Sequence, residues 1–339
     1  MQKYKKKSTY SSHFKKNMYI CISNTTTYME RITAIIITQD EERNIERCLA
    51  SLDGVADEVV VVDSGSTDRT QELCIAHGAR FVVHPWEGYS GQKNYANSLA
   101  THPWILSIDA DEALSPTLRE SILALKHSDN SQFSILNSQF SFNRLTNYCG
   151  HWIRHCGWYP DVCTRLFHRD MMEWDGTVHE ELRPKDPAHS SVSRADSSPN
   201  LGEQPRMQLA SDTANDRGSN TSPKLGEVVQ RTGGVCPTPP INQHLKGDLL
   251  HYSYYSVGEH AERTVKYSLM AAQKAFAQGK RAHRGSTFFK PAWTFFHSYF
   301  LRLGFLDGHA GFNVCRLSAT YTFLKYARLA ELWQLKSEE

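Results

Sequence analysis

The chain has 339 residues, 40% of them hydrophobic and 22% charged, with a formal net charge of +2 and a mean hydropathy of −0.51. That is ample material for a packed core, and the length alone points to about two domains. The composition excludes collagen-like and wholly disordered chains, and the most apolar stretch, residues 286–306, is interrupted by Lys290, Pro291, His297 and Arg302, short of the ~20 uninterrupted apolar residues of a spanning helix.

Residues 1–28 hold six lysines and no acid, so the +2 of the whole conceals a −4 balance over the rest. This leader has neither a continuous apolar segment nor a small-residue cleavage site, so it does not read as a secretory signal. The expectation is a disordered basic extension, or translation that begins at Met29; a tether to an anionic membrane is the functional alternative. The eight cysteines are scattered without a framework, which points to reduced thiols in a cytoplasmic protein.

From residue 31 the pattern becomes regular. Arg31–Thr38 (RITAIIIT) is a β-branched run of the kind buried on both faces of a sheet. Glu41–Leu52 has helical periodicity through Ile45, Cys48, Leu49 and Leu52. Glu58–Val62 is a second strand, Asp63–Asp68 (DSGSTD) a turn, and Thr67 is expected to cap a helix running to His77. A third strand follows at Arg80–His84, a helix at Gly91–Ala100, and a fourth strand at Trp104–Ile108 that runs into Asp109-Ala110-Asp111-Glu112. Ser115-Pro116 then opens a helix with serine as cap and proline at its first position.

Strands alternating with helices at this spacing predict a parallel, right-handed βαβ sheet. Such sheets bind ligands beyond the carboxyl ends of their strands, where Thr38, Asp63 and Asp109 fall. Beyond residue 130 the pattern turns mixed, with strands expected at Phe133–Phe142 and Cys163–Phe167. Residues 185–246 contain no aromatic residue and an imperfect repeat, Ser198-Pro199-Asn200-Leu201-Gly202-Glu203 and Ser222-Pro223-Lys224-Leu225-Gly226-Glu227, which predicts a low-complexity disordered insertion. Order is expected to resume at Leu249, with helices over Val257–Gln278, Phe288–Phe305 and Phe312–Trp333. Residues 251–336 carry 12 Lys or Arg against 4 Asp or Glu, and 18 of the chain's aromatic residues. Two readings of that tail stay open: aromatic packing against the sheet, and a peripheral contact with an anionic membrane face.

The chemistry centres on Asp109 and Asp111. Carboxylates two residues apart at a strand end point the same way, and a hard divalent cation held by one or two of them keeps positions free for phosphate oxygens. That suits a nucleoside diphosphate leaving group, whose growing charge the ion neutralises.

Four segments in order, Thr38-Gln39-Asp40-Glu41-Glu42-Arg43-Asn44-Ile45, then residues 59–70 (VVVVDSGSTDRT), then Gly91-Gln92-Lys93-Asn94-Tyr95-Ala96, then residues 105–112 (ILSIDADE), resemble the successive motifs of family 2 glycosyltransferases with the GT-A fold. Trp174–Glu180 (WDGTVHE) and Gly304–Gly308 (GFLDG) resemble a narrower subgroup that includes lipopolysaccharide-core β-glucosyltransferases. Asp40 stands where that family usually has asparagine. The resemblance implies an α/β, Rossmann-like, mostly parallel sheet flanked by helices. It places a nucleotide-sugar-binding core over residues 29–184, and the end of that core with C-terminal amphipathic helices over 247–336.

The same resemblance implies roles for individual residues. Thr38 and Glu41 line the nucleotide pocket. Asp63 accepts hydrogen bonds from base or ribose, its alternative being a turn-capping aspartate. Lys93 approaches the phosphates or the donor sugar, or lies on a solvated helix face. Asp109 sits near ribose and metal; Asp111 binds the metal, Mg²⁺ or Mn²⁺; and His251 is its third ligand, or a core histidine. Inversion needs a base for the acceptor hydroxyl. Glu180 is the choice, with Asp161 and Glu181 as rivals, His179 orienting acceptor or carboxylate, and Arg165 holding phosphate or pairing with an acid.

The expected activity is thus transfer of a hexose, from a UDP-sugar by preference, to a lipid-linked or lipopolysaccharide-core saccharide at the cytoplasmic face of the inner membrane. A sugar-phosphate nucleotidyltransferase is the rival enzyme class, but the turn after the first strand (Thr38-Gln39-Asp40-Glu41) lacks its glycine-rich loop. A non-catalytic saccharide- or membrane-binding scaffold is the other rival. The same missing glycines exclude a dinucleotide dehydrogenase, and nucleic-acid binding has only the basic leader behind it.

Overall fold

The computed structural model describes residues 31–127, 139–176, 180–185, 242–283 and 285–338. The basic leader, most of the predicted insertion, the start of the strand expected at Phe133, and His179 lie outside the described residues.

The elements run β1 (Ile32–Thr38), α1 (Ile45–Leu52), β2 (Glu58–Asp63), α2 (Thr70–Ala76), β3 (Arg80–Val83), α3 (Gly88–Leu99), β4 (Trp104–Ser107), β5 (Glu112–Leu114) and α4 (Pro116–Lys126). There follow β6 (Gln139–Tyr148), β7 (His151–Ile153), β8 (Asp161–His168), β9 (Met172–Asp175), β10 (Glu181–Pro184), β11 (Asn242–Tyr254), α5 (Val257–Ala277), α6 (Ser286–Phe296) and α7 (Gly308–Glu338). A π turn (His297–Leu301) and a 3₁₀ turn (Gly304–Asp307) join α6 to α7.

Strand order in the main sheet is β3-β2-β1-β4-β8-β6-β11-β5, with β7 paired to β6. The chain moves outward from β1 through β2 to β3, then returns to place β4 on the other side of β1, all in parallel. The gap between β1 and β4 is therefore the topological switch point, where an open α/β sheet leaves a crevice beyond its strand ends.

β1 is central, and its side chains divide by the two-residue period of a strand. Ile32, Ala34 and Ile36 pack with Ile45, Leu49 and Leu52 of α1 and Leu118 and Ile122 of α4, whereas Ile35 packs with Val60, Val62 and Ala96 on the α3 side. That two-sided burial is why the strand reads as an unbroken β-branched run. The expected cap at Ser115 is present, its Oγ accepting from the Leu118 N–H at 3.2 Å. Thr67 does not cap α2. That helix starts at Thr70, where the Asp68 carboxylate accepts from the Thr70 N–H at 2.9 Å, while the Thr67 N–H is taken by Asp40 at 2.7 Å.

The sheet is mixed rather than mostly parallel. β8 lies antiparallel to β4 and β6, and β5 antiparallel to β11, with only β6 and β11 parallel in that half. Order also returns earlier than expected, since Asn242–Lys246 already belong to β11. The helix expected over Phe288–Phe305 is broken by the π and 3₁₀ turns, and the last helix begins at Gly308 rather than Phe312. Among the described residues no helix is long and apolar enough to cross a membrane.

Candidate active site

Asp109, Ala110 and Asp111 form the turn between β4 and β5, closed by the Glu112 N–H donating to the Asp109 carbonyl at 2.9 Å. β5 then pairs with β11 so that Glu112 sits opposite His251, and the Tyr252 N–H donates to the Asp111 carbonyl at 2.8 Å. This pairing carries His251 across a long sequence separation to the turn, and places its Nε2 3.3 Å from Asp111 Oδ2. Burial disfavours the charged imidazole, but the Asp111 carboxylate beside it wins and raises its pKa above the ordinary value.

Asp109 faces the other way. Its Oδ1 lies 3.1 Å from Lys93 Nζ and its Oδ2 2.8 Å from Arg165. Burial by itself raises this carboxyl, yet the Arg165 guanidinium and the Lys93 ammonium together hold it well below the usual carboxylate range. Lys93, with a side chain only 2% exposed, also reaches Glu180 Oε1 at 3.0 Å. It is thus not on a solvated helix face: it bridges the two acids and lies over the Trp174 ring at 4.7 Å.

A cavity of about 380 Å³ opens over these groups, lined among others by Thr38, Glu41, Asp109, Asp111, Glu180 and His251. Six residues proposed from the sequence are therefore brought to one cleft at the β1–β4 switch point. Glu41 receives a hydrogen bond from Asn44 Nδ2 at 2.7 Å, and burial pushes its pKa up. The Trp86 and Tyr89 rings, edge to face at 4.9 Å, supply an exposed aromatic lip that the sequence reading missed; their only signal is one aromatic in the β3–α3 loop and one in the first turn of α3.

Asp63 does not join them. It is 1% exposed, and its carboxylate accepts from the Gly65 and Ser66 N–H groups at 2.8 and 2.7 Å, from the Ser66 hydroxyl, and from Thr38 Oγ1 at 3.0 Å. Those bonds engage its acceptor capacity in capping the turn. Asp40 explains its own departure from asparagine: it sits at φ 54°, a left-handed backbone that asparagine and aspartate both tolerate.

Arg165 pairs with acids rather than standing open, reaching Asp109 and, at 3.4 Å, Glu112. Glu112 was not singled out by sequence. Fully buried, it accepts from the Asp109 N–H at 2.9 Å and faces Arg144 at 3.6 Å; burial raises its pKa against the pull of Arg165. Of the sequence rivals to Glu180, Asp161 is paired with Arg144 at 2.7 Å and Glu181 with Arg183 at 3.2 Å, as Glu180 is with Lys93. In the Gly91–Ala96 motif, Gln92 ties the Ser64 hydroxyl to His84, and Asn94 exchanges hydrogen bonds with the Trp174 backbone at 2.8 and 2.9 Å. Three consecutive polar residues thereby fasten three different segments around the cleft.

The donor set fits a divalent ion only in part. Among the described residues no three His, Cys, Asp or Glu side chains are grouped to hold one. With both oxygens of Asp109 paired to cations, the expected trio of Asp109, Asp111 and His251 reduces to Asp111 and His251. A carboxylate and an imidazole facing a cleft match the ligands of Mn²⁺ or Mg²⁺ when substrate oxygens complete the shell.

A switch-point cleft lined by carboxylates, with an antiparallel extension bringing a histidine to the turn after β4, is the layout of a GT-A glycosyltransferase. Residues 33–174 match the family model for glycosyl transferase family 2, and the chain carries a domain of that family. Similarity extends beyond the domain. An uncharacterised glycosyltransferase of Rickettsia prowazekii is 28% identical over 310 residues, covering 91% of this chain and 90% of the relative. A lipopolysaccharide core biosynthesis glycosyltransferase of Rhizobium meliloti is 27% identical over 311 residues, covering 90% and 94%. Among solved structures, glucosyl-3-phosphoglycerate synthase from Mycobacterium tuberculosis is 22% identical over 35% of this chain and 44% of its own, with a TM-score of 0.28.

Proposed function

We propose that the cleft transfers a hexose from a nucleoside diphosphate sugar, by preference a UDP-sugar, to a hydroxyl of a lipid-linked or lipopolysaccharide-core saccharide, with inversion at the anomeric carbon. The observation that carries this is the Lys93 bridge. It ties Glu180 to Asp109 and so keeps it in the same cleft as Asp111 and His251, giving that cleft both a proton acceptor and an oxygen- or metal-binding pair. Glu180 takes the proton of the acceptor hydroxyl. That oxygen bonds to the anomeric carbon as the carbon–oxygen bond to the diphosphate breaks and the diphosphate leaves with the electron pair. Surrounding carboxylates stabilise the oxocarbenium character of the transition state.

Asp111 and His251 would hold Mg²⁺ or Mn²⁺, which supplies positive charge to the leaving diphosphate. Asp109, clamped between Lys93 and Arg165, fixes the turn and the Glu180 support instead of ligating. Thr38 and Glu41 face the nucleotide end. A second cavity of about 330 Å³, lined by Arg144, Trp158, Asp161 and His251 among others, meets the first at His251 and offers an aromatic platform and a charged pair for the acceptor sugar. The resemblance to lipopolysaccharide-core enzymes and the relative of that name support a saccharide acceptor at the membrane.

The test is release of UDP from a panel of UDP-sugars by the purified protein with Mn²⁺. Asp111→Ala and Glu180→Gln should each lower kcat by about a hundredfold or more while the protein stays folded. Full turnover in Asp111→Ala with unchanged metal dependence refutes the assignment.

A further inference from the structure

The connection from α5 to α7 has an aromatic face turned away from the protein. Along α6 and the π turn that follows, Phe295 and Tyr299 stack at 5.2 Å and pack inward on Cys156, Val314 and Cys315. The opposite stripe, Phe289, Trp293, Phe296 and Phe300, repeats at intervals of four, three and four residues, which keeps it on one side of a helix. All four are exposed, Phe289 at 70% and Trp293 at 59%, and Phe288 and Leu301 extend the patch. A surface helix ordinarily carries polar residues on that side, and a contiguous exposed apolar patch marks a contact surface.

The charge around the patch selects the occupant. Residues 278–306 contain five Lys or Arg and no Asp or Glu. Lys280, Arg281, Lys290 and Arg302 are exposed. The next acid, Asp307, is turned inward, accepting from the His155 N–H at 2.8 Å. A second copy of this chain would set one cationic face against another. A leaflet with anionic headgroups satisfies both features, since aromatic and leucine side chains enter the interface while lysine and arginine meet phosphate. No described helix can span a bilayer, so the contact is peripheral. We propose that the α6–π face, residues 286–301, is the surface by which this protein docks on an anionic lipid bilayer. The proposal deepens the reading of a lipid-linked acceptor and rests on it for its purpose, though not for its test.

The experiment uses the full chain and sedimentation with vesicles of phosphatidylglycerol and phosphatidylethanolamine, against phosphatidylcholine alone. It is run at low and high salt so that attraction by the lysine-rich leader is screened out. Phe289→Ser/Trp293→Ser/Phe296→Ser should lower the salt-resistant partition by roughly a hundredfold, the scale expected for three aromatic side chains withdrawn from an apolar phase. Lys280→Glu/Arg281→Glu/Lys290→Glu should weaken the low-salt preference for anionic vesicles relative to wild type, which carries the same leader, while leaving the salt-resistant partition of the aromatic stripe intact. Quenching of tryptophan fluorescence by brominated lipid should fall in Trp293→Ser. Both triple variants should still release UDP from a donor sugar in solution, and Asp111→Ala should still bind vesicles, which separates failure of the docking surface from failure of the catalytic reading. Wild-type vesicle binding in the aromatic variant overturns the proposal. So does a wild-type dimer that ignores vesicles and becomes monomeric when the stripe is replaced.

Discussion

Lys93→Met tests the central electrostatic claim. The substitution keeps the length and apolar stem of a side chain that is 2% exposed, and removes one ammonium from between Asp109 and Glu180. Breaking a fully buried pair by deleting one partner costs about 3–5 kcal/mol. Here Asp109 is 30% and Glu180 21% exposed, so water screens part of the loss, and Arg165 still faces Asp109 at 2.8 Å. The expected destabilisation is therefore about 2 kcal/mol, or a fall in Tm of roughly 4–8 °C for a domain of this size. The pH dependence supplies a sharper check. Asp109 has a depressed folded-state pKa relative to an ordinary value of 3.8, so its stabilising contribution is complete above that value and is lost as pH falls through the folded-state pKa. Removing Lys93 moves the folded-state pKa back up, so the gap between wild type and variant should be full near neutrality and shrink below about pH 4. Thermal melts from acid to neutral pH read this out. A variant that melts like wild type at neutral pH, or a gap that does not change with pH, refutes the bridge.

The remaining expectations are simpler. Gly247→Ala should cost about 3 kcal/mol or more in urea unfolding, because Gly247 sits at φ +99° and a Cβ there meets the Leu118 backbone nitrogen at 2.3 Å. Ser115→Ala should cost about 1–2 kcal/mol, since Oγ accepts from both the Leu118 and Asp248 N–H groups at 3.2 and 3.0 Å. His251→Ala should weaken calorimetric binding of Mn²⁺ with UDP by about tenfold or more while leaving the melting temperature of the apo protein within a few degrees; unchanged binding argues against the Asp111–His251 pair.

The parallel half of the sheet was legible because strands buried on both faces read as β-branched runs, as in Ala34–Ile37 and Val59–Val62, and because strand ends follow directly from those runs. Thr38 and Asp109 could therefore be assigned to one rim without knowing any contact. The antiparallel half was not legible. β6, β8 and β11 mix buried and half-exposed positions, and nothing local signals that β11 returns to pair with β5. The proximity of His251 to Asp111 is a product of that pairing, and composition does not report it. Lys93 was ambiguous for a related reason. On a helix whose neighbours Gln92, Asn94 and Asn97 are also polar, a buried ion-pair bridge and a solvated face have the same sequence signature. Asp63 was ambiguous because turn-capping and ligand-binding aspartates occupy the same kind of loop, and the capping partners Gly65 and Ser66 are themselves turn formers.

The two carboxylates of the Asp109-Ala110-Asp111 turn are held by different parts of the structure. Two-residue spacing puts side chains on one side only while the backbone stays extended, and β4 has already ended at Ser107. From there the chain turns, and each acid is claimed by a different layer. Asp109 is held by Lys93 from α3 and Arg165 from β8, cations that no local window of sequence connects. Asp111 is left to the antiparallel β5–β11 pair and its histidine. The division has a chemical consequence. A carboxylate saturated by two fixed cations is a poor ligand for a third, while its strong negative charge is needed to keep Lys93 positioned against Glu180. On the proposed mechanism, Asp109→Asn should therefore disturb the support of Glu180 and the stability of the turn before it disturbs ion binding, the reverse of what a shared-ligand reading of the pair requires.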